Sequence, residues 1–249
     1  MTRYKIHIEY EGTNLAGWQK QKNGISVQEI LENALFKLTG EKKIIQGAGR
    51  TDAGVHALNQ VAHFDIAKKI KTDALRDGLN FHIKNLYKRV KISVLKCKKV
   101  KKNFNARFDA KERTYQYVII NRQSNLALQK NKAWHVRKKL DLKAMKKGAK
   151  LLLGTHDFST FRASSCGAKS PVRTLKKISI KKNNERIIIK FTSKSFLQQQ
   201  VRSMVGCIKY LAESKWKLDE FKNAFKSKKR SNCARPAPSC GLYLTKISY

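Results

Sequence analysis

Apolar and polar residues alternate at the beginning of the chain, in the segment RYKIHIEY. Apolar side chains at every second position are typical of a strand with one buried face. The residues on this face are Tyr4, Ile6, Ile8 and Tyr10. The following segment, SVQEILENALFKLTG, repeats apolar residues at helical spacing, with Ser26 as an N-cap and Gly40 as the stop. The chain therefore begins with a strand, the loop EGTNLAGWQKQKNG and an amphipathic helix.

The same patterns continue to about residue 106. They predict a short strand KKIIQ, a loop GAGRTDAGVHA, a strand NQVAHFDI, a helix TDALRDGLN capped by Thr72, and a strand RVKISVLKCKKV. The resulting order is β-α-β-β-α-β, which is the ferredoxin-like split βαβ pattern.

The remainder of the chain predicts elements of the same kinds. In chain order they are a strand RTYQYVIIN, a helix DLKAMKKGAKLLLG, a hairpin from RTLKKISIKK to RIIIKFTS that turns at Asn183 and Asn184, a helix LQQQVRSMVGCIKYLAE, a helix near DEFKNAF and a strand GLYLTKIS. There is no sequence repeat and no Pro/Gly/Ser linker. We therefore predict two α+β domains, residues 1–106 and 107–249, that share a continuous, mainly antiparallel sheet.

The length and hydropathy fit a folded globular protein. A chain of 249 residues with 41% hydrophobic content can build one large core or two small ones. No apolar run of 18 residues occurs, and the N-terminal segment lacks the apolar stretch of a signal peptide. These features predict a soluble, cytoplasmic protein.

The net charge of the chain indicates which kind of molecule it binds. The chain has 55 Lys and Arg against 17 Asp and Glu, a net charge of +38. Such an excess is typical of proteins that bind nucleic acid, although drift toward AT-rich codons also raises the Lys content of solvated faces. A membrane surface is a weaker alternative, because no segment pairs a basic face with an aromatic-rich apolar one.

Several kinds of cofactor site lack their sequence signatures. The five cysteines form an odd set without a C-x-x-C pair, which argues against a disulfide framework or a zinc site and indicates reduced, structural thiols. His56 and His63 are seven residues apart, do not match zinc-ligand spacing and are interpreted as structural or surface residues. GAGRTDAGVHA has neither the P-loop nor the dinucleotide glycine pattern. We predict no metal and no nucleotide cofactor.

One carboxylate, Asp52, lies two residues after Arg50 in this glycine- and alanine-rich loop. From the residues alone, it is either a turn residue with Arg50 as its surface partner or a functional group held close to a cation.

The segment GRTDAGVHA resembles the signature of the TruA family of tRNA pseudouridine synthases. Four further segments resemble the same family: YEGTNLAGWQKQ, FNARFDAKERTYQYVI, FLQQQVRSMVG and APSCGLYL. The resemblance implies an RNA-binding cleft between the two domains, no cofactor, a homodimer, and isomerisation of uridine to pseudouridine at positions 38, 39 and 40 of the tRNA anticodon stem-loop.

The resemblance also implies a role for each of five residues. Asp52 would be the catalytic carboxylate and Arg202 the cation that pairs with it. Arg50 would fill the space left in the RNA when the uridine is flipped out. Tyr115 would stack on uracil and manage the C5 proton, and Leu242 would line the pocket wall.

Alternatives remain open for these residues and for the function. Tyr115 and Leu242 also fit an ordinary apolar core, and Arg202 fits the solvated flank of an amphipathic helix. LQQQVR departs from a family that frequently has His or Asn in that stretch, but Gln198, Gln199 and Gln200 can still form hydrogen bonds there. The rival functions are a basic RNA-binding or ribosome-associated protein without catalysis, and a synthase that acts on a different RNA.

Overall fold

The computed structural model describes residues 1–249 and is an α+β protein with a mixed, mostly antiparallel sheet. The five α-helices are α1 (Val27–Thr39), α2 (Thr72–Leu86), α3 (Leu142–Lys150), α4 (Gln200–Ala212) and α5 (Leu218–Lys226). The strands are β1 (Thr2–Tyr10), β2 (Gln46–Gly47), β3 (His56–Ile66), β4 (Ile92–Val100), β5 (Glu112–Asn121), β6 (Trp134–Val136), β7 (Gly154–Asp157), β8 (Val172–Asn183), β9 (Arg186–Ser193) and β10 (Leu242–Ser248). The predicted α+β class is confirmed.

The chain divides into two compact units. Unit 1 contains Met1–Lys111 and Leu244–Tyr249, and unit 2 contains Glu112–Tyr243. The C-terminal residues belong to unit 1 because the Lys111 N–H donates to the Ser248 carbonyl (2.8 Å) and the Tyr249 hydroxyl donates to the Ala106 carbonyl (2.9 Å). The domain boundary near residue 106 stays a prediction.

Unit 1 is built around β1, which runs antiparallel to both β3 and β4. Its alternating face is buried as the sequence predicted: Tyr4, Ile6 and Ile8 are fully inaccessible to solvent. Helix α1 begins after Ser26, whose side chain accepts a hydrogen bond from the Glu29 N–H, and ends at Gly40 in the left-handed conformation. Helix α2 packs against α1 and β4.

Unit 2 contains the strand order β5-β9-β8-β7, with β6 parallel to β5. The predicted hairpin is present: β8 and β9 are antiparallel, and Asn184 has the positive φ (50°) that its tight turn requires. Helix α3 packs against α4. Gly148 permits this contact, because a Cβ there would lie 2.6 Å from a Leu211 methyl group.

Two local predictions were wrong. Within the segment KKIIQ only Gln46 is in a strand. The backbone N–H and carbonyl of Ile45 form hydrogen bonds with side chains of α1 instead of with a neighbouring strand. The Ile45 N–H donates to Glu32 Oε1 (3.1 Å) and its carbonyl accepts from Gln28 Nε2 (3.2 Å). Thr72 is the first helical residue of α2 and not its cap; Lys71 is the N-cap, without a side-chain bond.

Candidate active site

Asp52 lies in a loop that we call the acid loop, residues 48–55, between β2 and β3. The start of the loop is held against β3. The Ala48 N–H donates to the Val61 carbonyl (2.7 Å), and Gln60 Nε2 donates to the Gly49 carbonyl (2.7 Å). Gln60 is fully buried, and its hydrogen bond to Gly49 is partly buried.

Asp52 opens a four-residue turn within the acid loop. The Val55 N–H donates to the Asp52 carbonyl (3.1 Å), and Gly54 has a φ of 76°, as the third residue of a type II turn requires. Asp52 is half-buried and Arg50 is exposed. Asp52 is therefore a turn residue, as one of the two sequence interpretations described. The residue is only partly exposed to water.

A second loop forms backbone hydrogen bonds with the acid loop. We call it the first loop, residues 11–25, between β1 and α1. The Trp18 N–H donates to the Thr51 carbonyl (3.0 Å), and the Gly54 N–H donates to the Leu15 carbonyl (3.2 Å). These two backbone bonds lie on either side of Asp52 in the sequence, so they fix the residue from both directions.

Two glycines allow the loops to approach this closely. A Cβ on Gly12 would lie 2.1 Å from the Val55 carbonyl oxygen, and one on Gly17 would lie 2.4 Å from the Thr51 carbonyl oxygen. Gly17 also has a φ of 97°, which side-chain-bearing residues rarely adopt. The glycines of EGTNLAG are thus part of the support for Asp52, a role that the sequence reasoning missed although their spacing was visible.

A buried tyrosine supports the residue next to Asp52. The Tyr10 hydroxyl and Thr51 Oγ1 are 2.8 Å apart, and both residues are buried. Burial raises the pKa of Tyr10 to about 12, so the phenol is neutral at physiological pH and only hydrogen bonds. The sequence pattern assigned Tyr10 to the core of β1 but did not reveal this bond.

The two histidines near the acid loop have structural partners, as the sequence indicated. His56 Nδ1 accepts from the Gly12 N–H (3.0 Å), and His63 Nδ1 accepts from the Ala106 N–H (3.2 Å). Burial lowers the pKa of His63, which favours the neutral ring. No group of three or more His, Cys, Asp or Glu residues in the structure could hold a metal ion.

Tyr115 lies on β5 in unit 2 and is 8% exposed. Its ring packs edge-to-face on Phe196, with centroids 5.2 Å apart, and its strand partner is the buried Phe191. Tyr115 is thus packed among aromatic rings as the core alternative requires, and a rim of its surface remains accessible.

Arg202 lies in the first turn of α4 and is half-buried. Its Nε donates to the Ala237 carbonyl (2.7 Å), and the Ala237 N–H donates to the Arg202 carbonyl (2.9 Å). We call residues 233–238 the strap. It crosses α4 closely, since a Cβ on Gly206 would lie 2.2 Å from the Arg235 carbonyl oxygen. The guanidinium is therefore anchored through Nε, and the residue remains partly exposed to solvent.

The segment before Arg202 is also ordered by hydrogen bonds. Gln199 has a φ of 59°, Gln200 is fully buried, and Gln200 Oε1 accepts from the Leu197 N–H (2.8 Å). The glutamines that depart from the family pattern thus build the entry to α4.

Leu242 begins β10 and is 5% exposed. The preceding Gly241 lies against the Tyr117 ring, where an added Cβ would be 2.6 Å from a ring carbon. The Tyr117 hydroxyl donates to the Pro238 carbonyl at the end of the strap (2.7 Å). Leu242 therefore directly follows a tightly packed segment. Its burial is compatible both with lining a pocket and with an ordinary position in the apolar core.

The structure places the five candidate residues in two groups. Asp52 and Arg50 share the acid loop of unit 1, whereas Tyr115, Arg202 and Leu242 belong to unit 2. Unit 1 thus supplies a half-buried acid in a rigid turn, and unit 2 supplies an anchored guanidinium and a packed phenol. Each of these groups, taken separately, is of a type that carries acid–base or nucleophilic chemistry.

The comparisons with known proteins show the class of enzyme and its family. The family model described as tRNA pseudouridine synthase matches residues 6–109 and 149–249. The chain is 54% identical over its full length to the full-length tRNA pseudouridine synthase A of Pelagibacter ubique. It is 46% identical to the protein of that name from Maricaulis maris, covering 100% of this chain and 98% of that one. The chain belongs to the tRNA pseudouridine synthase family, and it is an isomerase. No helix is long and apolar enough to span a membrane.

Proposed function

We propose that this enzyme isomerises uridine to pseudouridine at positions 38, 39 and 40 of the tRNA anticodon stem-loop. The observation that carries the proposal is the construction of the acid loop, in which two backbone bonds and two glycines fix a half-buried Asp52. A loop held this rigidly suits a group that must meet one atom of a substrate.

The reaction conserves atoms and electrons within the nucleoside. The bond from ribose C1' to uracil N1 breaks, the base turns, C1' bonds to C5, and the proton on C5 is released while N1 gains one. Asp52 acts as an ionised carboxylate at the sugar, either by attack at C1' or by abstraction of an adjacent proton. Both routes require the negative charge.

In the proposed mechanism, Arg202 and Tyr115 assist Asp52. Arg202 pairs with Asp52 and keeps it ionised, because a nearby opposite charge favours the charged form of an acid. The anchored Nε leaves the planar guanidinium in one orientation, which suits a directional pair with a carboxylate. Tyr115 stacks on the uracil and manages the C5 proton, and Leu242 lines the pocket.

Arg50 acts on the RNA. An enzyme that modifies a base within a helix must extrude that nucleotide, and the gap then needs a filler. Arg50 is exposed on the acid loop beside Asp52, as such a role requires. The net charge of +38 supports binding to the phosphate backbone.

The larger arrangement is part of the same proposal. We expect two ferredoxin-like domains, residues 1–106 and 107–249, that share a central sheet with an RNA-binding cleft between them. We also expect a cytoplasmic homodimer that contacts tRNA through both subunits and uses no cofactor or metal.

The test uses anticodon stem-loops labelled with tritium at uracil C5. Three substrates each carry one uridine, at position 38, 39 or 40, and a fourth carries cytidine at all three positions with labelled uridines elsewhere. We expect label release from the first three only, and no effect of a chelator. Tight binding without release would favour a non-catalytic RNA-binding protein. Release from the fourth substrate would indicate a synthase for another site.

A further inference from the structure

Two cysteine thiols are in contact on the side of α4 that faces the strap. Cys207 Sγ and Cys233 Sγ are 3.6 Å apart although the residues are separated by 26 positions in the sequence. Cys207 lies within α4 and is 1% exposed, whereas Cys233 begins the strap and is half-buried. Cys233 is therefore the more exposed residue of the pair, and Cys207 is shielded from solvent.

Backbone contacts hold the two sulfur atoms together. The Ala234 N–H donates to Cys207 Sγ (3.3 Å). The next residue of the strap, Arg235, places its carbonyl oxygen close to Gly206 of α4. Two hydrogen bonds between Arg202 and Ala237 hold the other end of the strap against α4. The thiol contact thus follows from how the strap lies on α4 and is not a chance approach of two mobile side chains.

The surroundings make the two thiols unequal. The hydrogen bond from Cys207 lowers the pKa of Cys233, and the charge of Arg230 acts in the same direction. The same bond and burial raise the pKa of Cys207. Arg230 is itself held beside the pair, since its Nη1 donates to the buried Ser203 hydroxyl (2.7 Å). The greater exposure of the residue and the lower pKa of its thiol therefore both favour Cys233 as the more reactive cysteine.

We propose that Cys207 and Cys233 are a site of reversible oxidation, at which a peroxide converts the two thiols to a disulfide between α4 and the strap. The Cys233 thiolate attacks one peroxide oxygen, the O–O bond breaks, and one water and a Cys233 sulfenic acid form. The Cys207 sulfur then attacks the sulfenic sulfur and displaces a second water. Two thiols and one hydrogen peroxide thus give one disulfide and two waters.

The bond requires only a short movement of the two sulfur atoms. The sulfur atoms must approach from 3.6 Å to the roughly 2 Å of a disulfide. Side-chain rotation at the half-buried Cys233 with a small shift of the strap can supply this movement. The bond would close a loop that contains α5 and would tie the strap, including the Ala237 acceptor of Arg202, to α4 covalently. The proposal does not depend on the identity of the RNA substrate.

The test treats the reduced, full-length protein with graded hydrogen peroxide, blocks the remaining thiols by alkylation and maps the peptides by mass spectrometry. We expect a linked pair of peptides containing Cys207 and Cys233 that dithiothreitol separates. We also expect the melting temperature to rise by roughly 5 °C in the oxidised form, because the disulfide restricts the unfolded chain.

Single substitutions distinguish the roles of the two thiols. Cys207→Ser should leave Cys233 as a sulfenic acid or a higher oxide, and Cys233→Ser should abolish the linkage and leave the buried Cys207 reduced. Cys97→Ala, which alters a cysteine of β4 in unit 1, should leave the linkage intact. Absence of the linked peptides in folded wild-type protein at a peroxide concentration that oxidises Cys233 would overturn the proposal, as would preferential linkage of any other cysteine pair.

Discussion

The acid loop and Arg202 are held in place by different means. Asp52 is fixed through the backbone, by hydrogen bonds between two loops that approach each other at Gly12 and Gly17. Arg202 is fixed through its side chain, by the bond from Nε to the Ala237 carbonyl on the strap. The position of the acid should therefore be sensitive to any added Cβ in the first loop. The position of the arginine should be sensitive to the shape of its own side chain.

The largest effect outside the acid itself is expected for Gly17→Ala. The new Cβ meets the Thr51 carbonyl at 2.4 Å and the residue must also adopt a positive φ, which together should cost about 2–5 kcal/mol of stability. Turnover should fall with it as the acid loop is displaced. Denaturant unfolding and label release measure the two effects.

Gly40→Ala is the matched control for that substitution. Gly40 has a φ of 78° but nothing within 4 Å of an added Cβ, so it introduces backbone strain without the clash. We expect a cost of about 1 kcal/mol and unchanged turnover. Equal losses of stability for the two variants would show that the close approach of the loops is unimportant.

Arg202→Lys should lower turnover on the order of tenfold to a hundredfold at saturating tRNA. Lysine keeps the charge but loses both Nε and the planar fork that the proposed mechanism requires for pairing with a carboxylate. The loss of the bond to Ala237 should cost only about 1 kcal/mol of stability. Arg186→Lys, on an exposed residue at the start of β9, is the control. A wild-type kcat for Arg202→Lys would remove the directional pairing from the mechanism.

A smaller effect is expected for Tyr10→Phe, which leaves the Thr51 hydroxyl without its buried partner. The expected cost is about 1–2 kcal/mol with a several-fold lower kcat, because Thr51 precedes Asp52. Tyr4→Phe is a matched control on the same face of β1, since the Tyr4 hydroxyl bonds to the Ile70 carbonyl (2.8 Å), away from the acid loop. If both variants lowered kcat equally, Tyr10 would have only a general structural role.

The sequence predicted the parts of this molecule whose pattern is local. Strand β1, helix α1 and the position of Asp52 between strands follow from periodicity, caps and glycines within short segments. The failures involve contacts between distant segments. Nothing local shows that Gln28 and Glu32 of α1 will occupy the backbone of Ile45.

The same limit applies to the candidate site. The resemblance named Asp52 and Arg202 as candidates, but it gave no information about the contacts that hold them. Gly12 and Gly17 contact residues about forty positions away, and Ala237 lies 35 positions from Arg202. A periodic pattern reports which face of a segment is buried, whereas these contacts depend on which loop packs against which.

The central claim is that the negative charge of Asp52 performs the chemistry, and single-turnover release of the C5 label with Asp52→Asn in excess over tRNA tests it most directly. Asparagine keeps the shape and removes the charge, so we expect release to slow by at least about a thousandfold. The same preparation should melt within a few degrees of wild type and bind tRNA as tightly or more tightly. Asp73→Asn, an exposed carboxylate on α2, should react at the wild-type rate. Label release by folded Asp52→Asn at a rate within tenfold of wild type would contradict the account.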